Sequence, residues 1–349
     1  MKFGIWTPLP HTIRPEAAMD RAVKTLRDGE AIEGPDLAFE VARKTIVRAE
    51  ECGFEITLLA QRYLGPDLEA WTLASALAMV TSRIELMVAV HPGMVSPQVV
   101  AKMGASLDRL SQGRAAINIV NGWWEEEFNL FSNGGWIGEA GPRYARMRDY
   151  IETMKGLWTE GGFRHDGAFF KADVPASILG SRGKVTPPEE GEIVARCRRG
   201  PGLPLYAASR SGPGKEIIAQ TCDVWFAEYA PGYRNFESNL ASVAQQAREM
   251  DEVCGRLGRR LSYALNPQVI LADTMEEAQR LADIAEHPAT RDRVSNALGA
   301  GFVGTPQVVA ERIARYEEIG VSCLMLRFSP MLDGVERFGA EVIPLLRQR

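Results

Sequence analysis

Apolar residues recur along this chain in two alternating patterns: short unbroken runs, and longer stretches at helical spacing. The short runs are KFGIW (2–6), FEITLLA (54–60), RIELMVAV (83–90), RAAINIV (114–120), LPLYAA (203–208), DVWFAE (223–228), LSYALNPQVILA (261–272) and VSCLMLRF (321–328), and each predicts a strand. The stretches between them, such as LAFEVARKTIVRAEECG (37–53), PRYARMRDYIETMKGLW (142–158) and TPQVVAERIARYEEIG (305–320), predict helices. End signals agree with this reading. Ser96 is placed to cap a helix that has Pro97 at its first position, Gly53 follows a helix end, and Thr274 with Glu277 has the spacing of a capping box.

Strands that alternate with helices pair in parallel, because a parallel neighbour needs a crossover. Eight such units in 349 residues predict an α/β fold, a (β/α)8 TIM barrel over residues 1–349 as a single domain. A doubly wound open sheet is the alternative, although no GxGxxG follows the first strand. Two polar segments interrupt the rhythm, residues 10–36 and 172–203. Loops of this length are surface insertions or lids, and both are candidate lid loops.

Composition narrows the function classes. With 46% hydrophobic and 24% charged residues the chain can bury a large core, and a net charge of −5 argues against nucleic acid as a partner. The opening MKFGIWTPLPH does not read as a signal peptide, and no run of about 18 apolar residues predicts a membrane span. Cys52, Cys197, Cys222, Cys254 and Cys323 are scattered, odd in number and without CxxC spacing, as expected of reduced thiols in a cytoplasmic protein. His11, His91, His165 and His287 lie far apart with no HExxH, so no metal site is expected.

A barrel carries its active site at the carboxyl ends of its strands. That rule selects Trp6 and His11 after the first strand, Gln61 and Arg62 after the second, and His91 after the third. It selects Asn118 and Asn121 to Trp124 at the fourth, then Ser209, Arg210 and Ser211 at the fifth. Glu228 and Tyr229 follow the sixth strand, Asn266 lies in the seventh, and Arg327 and Ser329 end the eighth. AASRSGPGKEII (207–218) runs from a strand through a Ser/Gly turn into a helix, the arrangement of an anion site or of a plain N-cap and turn. Arg143 and Tyr144 are either further contacts to that anion or surface residues. His11 and His91, each alone, suit a structural role as well as a catalytic one. Trp123 and Trp124 suit packing or a small-molecule pocket. Glu125 to Glu127 read as a solvated face or the start of a short helix.

ASLDRLSQGRAAINIVNGWW (105–124), ERIARYEEIGVSCLMLRF (311–328) and RFGAEVIPLL (337–346) resemble the bacterial luciferase-like flavin monooxygenases, and the resemblance covers nearly the whole chain. FGIWTPLPH, HPGMVSPQVVAKM and RYARMRDYIETMKGLWTEGGFRHDGAFF are similar to the subgroup of FMNH2-dependent sulfonate and dimethyl sulfone monooxygenases and the pyrimidine oxygenase. The resemblance implies a TIM barrel that binds FMN as FMNH2, uses O2, and receives reduced flavin from a separate NAD(P)H-dependent flavin reductase. It implies a homodimer or homotetramer and a small-molecule substrate, with cleavage of the C–S bond of a sulfone or sulfonate.

Carried onto this sequence, Ser211, the backbone of Gly212 and the Tyr144 hydroxyl hold the flavin phosphate beside Ser209 and Arg210. Arg210-Ser211 stands where relatives have Ser-Ser or Gln-Ser, and Asn121 where they often have Thr or Ser. Trp6, Gln61, Asn118 and Asn121 are the remaining cofactor residues. His11, His91, Asn121 and Arg327 are the catalytic candidates, with His11 handling the proton and Arg327 or Arg62 meeting a polar substrate group. Trp6, Met94, Trp123 and Trp124 form the apolar wall. Leu265, Asn266 and Pro267 stand where the sulfonate enzymes carry Arg and His, so that sulfonate clamp is missing, and the resemblance places Asn at this point in the dimethyl sulfone enzymes as well. Basic residues of the second insertion, Arg182, Lys184, Arg196, Arg198 and Arg199, are placed to close over an anion. Three other readings share this barrel: an amide or heterocycle ring-opening oxygenase, a deazaflavin (F420)-dependent oxidoreductase, and a flavin-binding protein without turnover.

Overall fold

The computed structural model describes residues 1–11, 34–132, 134–159, 163–174, 178–179, 185–186, 197, 202–286 and 295–348. The apolar runs form β1 (Lys2–Trp6), β2 (Ile56–Leu59), β3 (Glu85–Val90), β4 (Ala115–Ile119), β5 (Leu205–Ala208), β6 (Val224–Phe226), β7 (Ser262–Leu265) and β8 (Val321–Leu326). These strands close a barrel in the order β1-β8-β7-β6-β5-β4-β3-β2, so the architecture is the (β/α)8 barrel and not the open sheet. The intervening helices are α1 (Leu37–Glu51), α2 (Ala70–Ala78), α3 (Pro97–Leu110), α4 (Glu125–Phe131), α5 (Ala140–Thr159), α6 (Gly212–Thr221), α7 (Phe236–Arg256), α8 (Met275–Glu286), α9 (Pro306–Glu318), α10 (Met331–Glu341) and α11 (Ile343–Arg347).

The chain divides into two compact units: Met1–Ala60 with Pro66–Leu68 and Val224–Arg349, and Gln61–Gly65 with Glu69–Asp223. In the first, β1 pairs in parallel with β8 (Lys2 opposite Cys323) and with β2 (Gly4 opposite Ile56), and β7 pairs with both β6 and β8. In the second, β4 lies between β3 (Ala89 opposite Asn118) and β5 (Asn118 opposite Tyr206). Parallel register sets carboxyl ends side by side within each unit: Trp6, Leu265 and Leu326 in one, Val90, Ile119 and Ala208 in the other. The strands are apolar on both faces, as strands covered by helices must be. All of β2 and Leu86 to Val90 of β3 are buried.

Helix ends follow the expected chemistry. Ser96 Oγ accepts from Val99 N at 3.3 Å and Thr274 Oγ1 from Glu277 N at 3.2 Å. The seventh apolar run departs from the expectation of one long strand. It leaves the barrel after Leu265, and Ile270–Leu271 pairs with Val303–Gly304 in a separate two-stranded sheet. Pro267, which has no N–H for a ladder, sits at the break. Of the polar segments, residues 12–33 lie outside the described residues, as do Arg182, Lys184, Arg196, Arg198 and Arg199 of the second. The hairpin Phe163–Asp166/Lys171–Val174 enters that second segment. Asp149 of α5 ties the hairpin down, accepting from Phe169 N at 2.6 Å and Phe170 N at 3.0 Å and pairing with His165. The five cysteines are free thiols, and among the described residues no helix is long and apolar enough to cross a membrane.

The turn LSQGR (110–114) joins α3 to β4 and sets the floor of the second unit. Gln112, at φ 61°, and Gly113, at φ 92°, both take left-handed backbone. Arg114, 8% exposed, folds back beneath the strands. Its Nε donates to Ser111 O at 2.7 Å, Nη1 to Ile84 O at 2.8 Å and Thr81 Oγ1 at 2.9 Å, and Nη2 to Ala78 O and Thr81 O at 3.0 Å. The guanidinium thereby satisfies the open carbonyls after α2 and before β3. Arg114→Ala strands those acceptors in a buried place and is expected to destabilise the fold by about 3–5 kcal/mol in urea unfolding. A loss below about 1 kcal/mol would contradict this role.

Candidate active site

In the second unit, α6 begins at an N-cap, Ser211, whose Oγ accepts from Gly214 N at 3.2 Å. Ser211 Oγ is 3.2 Å from Ser209 Oγ, which is 2.6 Å from the Tyr144 hydroxyl on α5. Three hydroxyls thus form one chain at a helix N-terminus, where N–H groups and the helix dipole favour an anion. Gly214 makes the approach possible, since a Cβ there would fall 2.0 Å from Ser209 Oγ and 2.5 Å from the Tyr144 ring. A Cβ on Gly212 would meet nothing within 4 Å, so its side of the turn is open. Arg210 is exposed. Arg143 turns away from this cradle; its guanidinium lies 4.8 Å over the Trp136 ring and donates to Ile137 O.

The ends of β3 and β4 carry a second group. Asn121 has both its amide nitrogen and its amide oxygen buried without a hydrogen-bond partner. Such a group marks a place where something else completes the bonding. His91 is buried, with Nε2 3.3 Å from Gln61 O and Nδ1 without a partner. Burial pushes its imidazole below its usual value near 6.5, so the ring is neutral. Asn118 lies on β4, half-buried. The Gln61 amide is engaged by the backbone, accepting from Ala70 N at 2.9 Å and donating to Arg62 O at 3.4 Å.

The NGWWEEE stretch resolves into distinct roles. Trp123 and Trp124 stack at 5.8 Å, and the Arg62 guanidinium lies over both rings, at 5.1 and 4.9 Å. Trp123 is 51% exposed, so it is a surface platform and not part of a buried wall. Glu125 and Glu126 are exposed in the first turn of α4, but Glu127 is buried, against the solvated face expected for all three. Its Oε1 accepts from Tyr63 N at 2.7 Å and Leu64 N at 3.0 Å, which ties the loop after β2 to α4.

Sequence reasoning passed over Arg146, two residues beyond Tyr144 on α5. Its residue is 4% exposed and its guanidinium lies 5.4 Å from the Phe128 ring centre. Burial, and after it the neighbouring Arg143, pushes its pKa down from the usual value. Only the register of α5, not the local sequence, places it inward.

In the first unit, Trp6 Nε1 donates to Asn266 Oδ1 at 2.5 Å and the Arg327 guanidinium sits 3.5 Å over the Trp6 ring. The Tyr229 hydroxyl donates to Asn266 O at 2.8 Å; burial pushes its pKa well up, so it stays protonated. His11 Nδ1 pairs with Asp67 Oδ2, and His11 N donates to Asp67 Oδ1 at 3.1 Å. The Asp67 side chain is 1% exposed and that of His11 is 16% exposed. Asp67 is a second partner that the sequence did not single out, lying 56 positions from His11 in a Gly-Pro-Asp turn. The two contacts to Asp67 fix the orientation of the ring. Glu228 is half-buried and Ser329 exposed.

The luciferase-like monooxygenase family model matches residues 1–323. An FMNH2-dependent dimethylsulfone monooxygenase of Pseudomonas putida is 26% identical over 345 residues, covering 88% of this chain and 87% of that one. Among solved structures, an EDTA monooxygenase from Chelativorans sp. BNC1 superposes with a TM-score of 0.73 at 17% identity, covering 100% of this chain and 94% of that one. A riboflavin lyase solved with modified FMN and riboflavin superposes with a TM-score of 0.72 at 18% identity, covering 100% and 92%. The two structures share the fold.

His91 generates a pH prediction. The unfolded histidine takes up a proton near pH 6.5, and the buried one only at lower pH. Its contribution is whole above that value and drains as pH falls towards the folded pKa, by up to roughly 1.4 kcal/mol per pH unit. In denaturant titrations at pH 7.5 and 5.0, His91→Gln is expected to lose less stability on acidification than wild type; equal losses would contradict the assignment.

Proposed function

The chain belongs to the luciferase-like monooxygenase family, and on that premise we propose that it is the oxygenase of a two-component system. It uses FMNH2 and O2 to oxygenate a small organic substrate, cleaving the C–S bond of a sulfone or sulfonate. A separate NAD(P)H-dependent flavin reductase supplies the reduced flavin, and the oxygenase works as a homodimer or homotetramer of single-domain chains. The observation that carries the reading is the Tyr144–Ser209–Ser211 hydroxyl chain at the start of α6, in the same unit as an Asn121 amide with two unsatisfied ends.

Those residues fit FMN. Ser211, the Gly212 N–H and Tyr144 hold the phosphate, with Ser209 setting the hydroxyl chain and Arg210 adding charge at the exposed rim. Asn121, with Asn118 and the neutral His91, offers donors and acceptors to the polar edge of the ring system. Reduced FMN, when bound, supplies the electrons that activate O2 for transfer of one oxygen atom. The chain's part is binding, orientation and proton handling. A neutral His91 accepts or donates one hydrogen bond without adding charge. Trp6, held by Asn266, supplies an apolar face, and Arg327 holds its charge against that face for a polar group of the substrate. His11, oriented by Asp67, moves the proton at Nε2.

Two measurements test this. Ser211→Ala and Tyr144→Phe should each weaken FMN binding by about tenfold or more while leaving riboflavin affinity unchanged, because only the phosphate contacts are removed. Equal weakening of both flavins would move the phosphate elsewhere. Purified protein, a flavin reductase, NADH and O2 should release sulfite or a sulfinate from a sulfone or sulfonate. O2-dependent ring opening of cyclic amides, with no sulfite or sulfinate from any sulfone or sulfonate, would give the ring-opening reading, and reduction of substrate by a deazaflavin without O2 would overturn the oxygenase reading.

A further inference from the structure

Arg146 is a buried cation that the chain itself leaves half-bonded. Nη1 donates to Gly135 O at 3.3 Å, whereas Nε and Nη2 are buried without a hydrogen-bond partner. No carboxylate pairs with it among the described residues, and the charged group that acts on it is another arginine, Arg143. A buried charge is costly unless it is paired, so an arrangement of this kind implies a counter-ion that comes and goes.

The unbonded atoms define the shape of that counter-ion. Nε–H and the adjacent Nη2–H point the same way from one edge of the guanidinium, and this edge takes two oxygens of one oxyanion. The surroundings hold the edge in place. Gly93 passes the guanidinium with φ 101°, and a Cβ there would come 3.0 Å from Nη1. Phe128 lies against the guanidinium on one side and meets the His91 ring edge-on at 6.0 Å. The same Phe128 ring lies 2.6 Å from where a Gly122 Cβ would stand, next to Asn121. Arg146 therefore adjoins the carboxyl ends of β3 and β4, whereas Tyr144 projects from another side of α5 and bonds Ser209.

We propose that the Nε/Nη2 edge of Arg146 is the subsite for a sulfonate or carboxylate group of the substrate, and hence that the substrate is an organic anion and not a neutral sulfone. This rests on the monooxygenase reading above, but its test needs no turnover. Calorimetric titrations of the protein, with and without saturating FMN, would use propane-1-sulfonate, inorganic sulfate and dimethyl sulfone as probes. Wild type is expected to bind propane-1-sulfonate at least tenfold more tightly than either of the others. Arg146→Gln should lower propane-1-sulfonate affinity tenfold or more and leave FMN affinity unchanged. Arg146→Lys, which keeps the charge and loses the fork, should recover only part of it. The sulfonate should also raise the unfolding temperature of wild type and not that of Arg146→Gln, which shows binding even where the variant's own stability has moved. Unchanged sulfonate affinity in Arg146→Gln overturns the proposal. So does inorganic sulfate binding as tightly as the organic anion, or a selective loss of FMN over riboflavin, which would assign the edge to the flavin phosphate.

Discussion

Beneath β3 and β4 one guanidinium, that of Arg114, reaches Ala78, Thr81, Ile84 and Ser111 with every N–H it has. The end of α2, the entry to β3 and the turn into β4 all present carbonyls at this place, which is buried around Ala78, Ile84 and Ser111. Without a donor there the three segments could not pack together, because a buried acceptor without a partner costs more than a typical hydrogen bond returns. The rest of that unit is built above this floor. Strands β3, β4 and β5 rise from it in parallel and deliver their carboxyl ends to the opposite side.

At those carboxyl ends the same rule is broken. Asn121 has neither end of its amide paired, His91 has one bare ring nitrogen, and Arg146 presents an unbonded edge. Arg114 and Arg146 make the contrast plain. Both are buried arginines in one unit, yet one is saturated by backbone oxygens and the Thr81 hydroxyl and the other is not. A saturated group explains stability. An unsaturated one points to a ligand. In the unit that carries β1, the polar groups are paired differently, with Trp6 on Asn266 and His11 on Asp67, so that side chains are held in set orientations.

Much of the fold was legible because it depends on periods and caps. Apolar runs gave the strands, helical spacing gave the helices, and Ser96 and Thr274 marked the helix starts where the structure places them. The end of the seventh run was misread because apolar residues continue past Pro267, and only pairing with Val303–Gly304 shows that the barrel strand has stopped. The motif that carried the family resemblance, LDRLSQGR, contains Arg114, so its most visible part makes the floor rather than the chemistry. Local sequence leaves Ser211 as an anion contact or a plain N-cap and Tyr144 as a further contact or a surface residue, and it cannot show that Ser209 joins them into one chain. Glu127, Asp67 and Arg146 were invisible for one reason. Each has a partner, or lacks one, far away in sequence, and a charged residue in a polar stretch looks solvated until tertiary packing buries it.

We propose that the unpaired Asn121 amide and His91 ring nitrogen at the carboxyl ends of β3 and β4 face the cofactor, and that the Arg146 edge faces the substrate. The most direct test is a crystal structure of the protein soaked with FMN. The account predicts the phosphate on Ser211 and Tyr144 at the start of α6, and the Asn121 amide hydrogen-bonded to the flavin ring. A flavin bound with its phosphate elsewhere, or with the Asn121 amide still unpaired beside it, would contradict the claim.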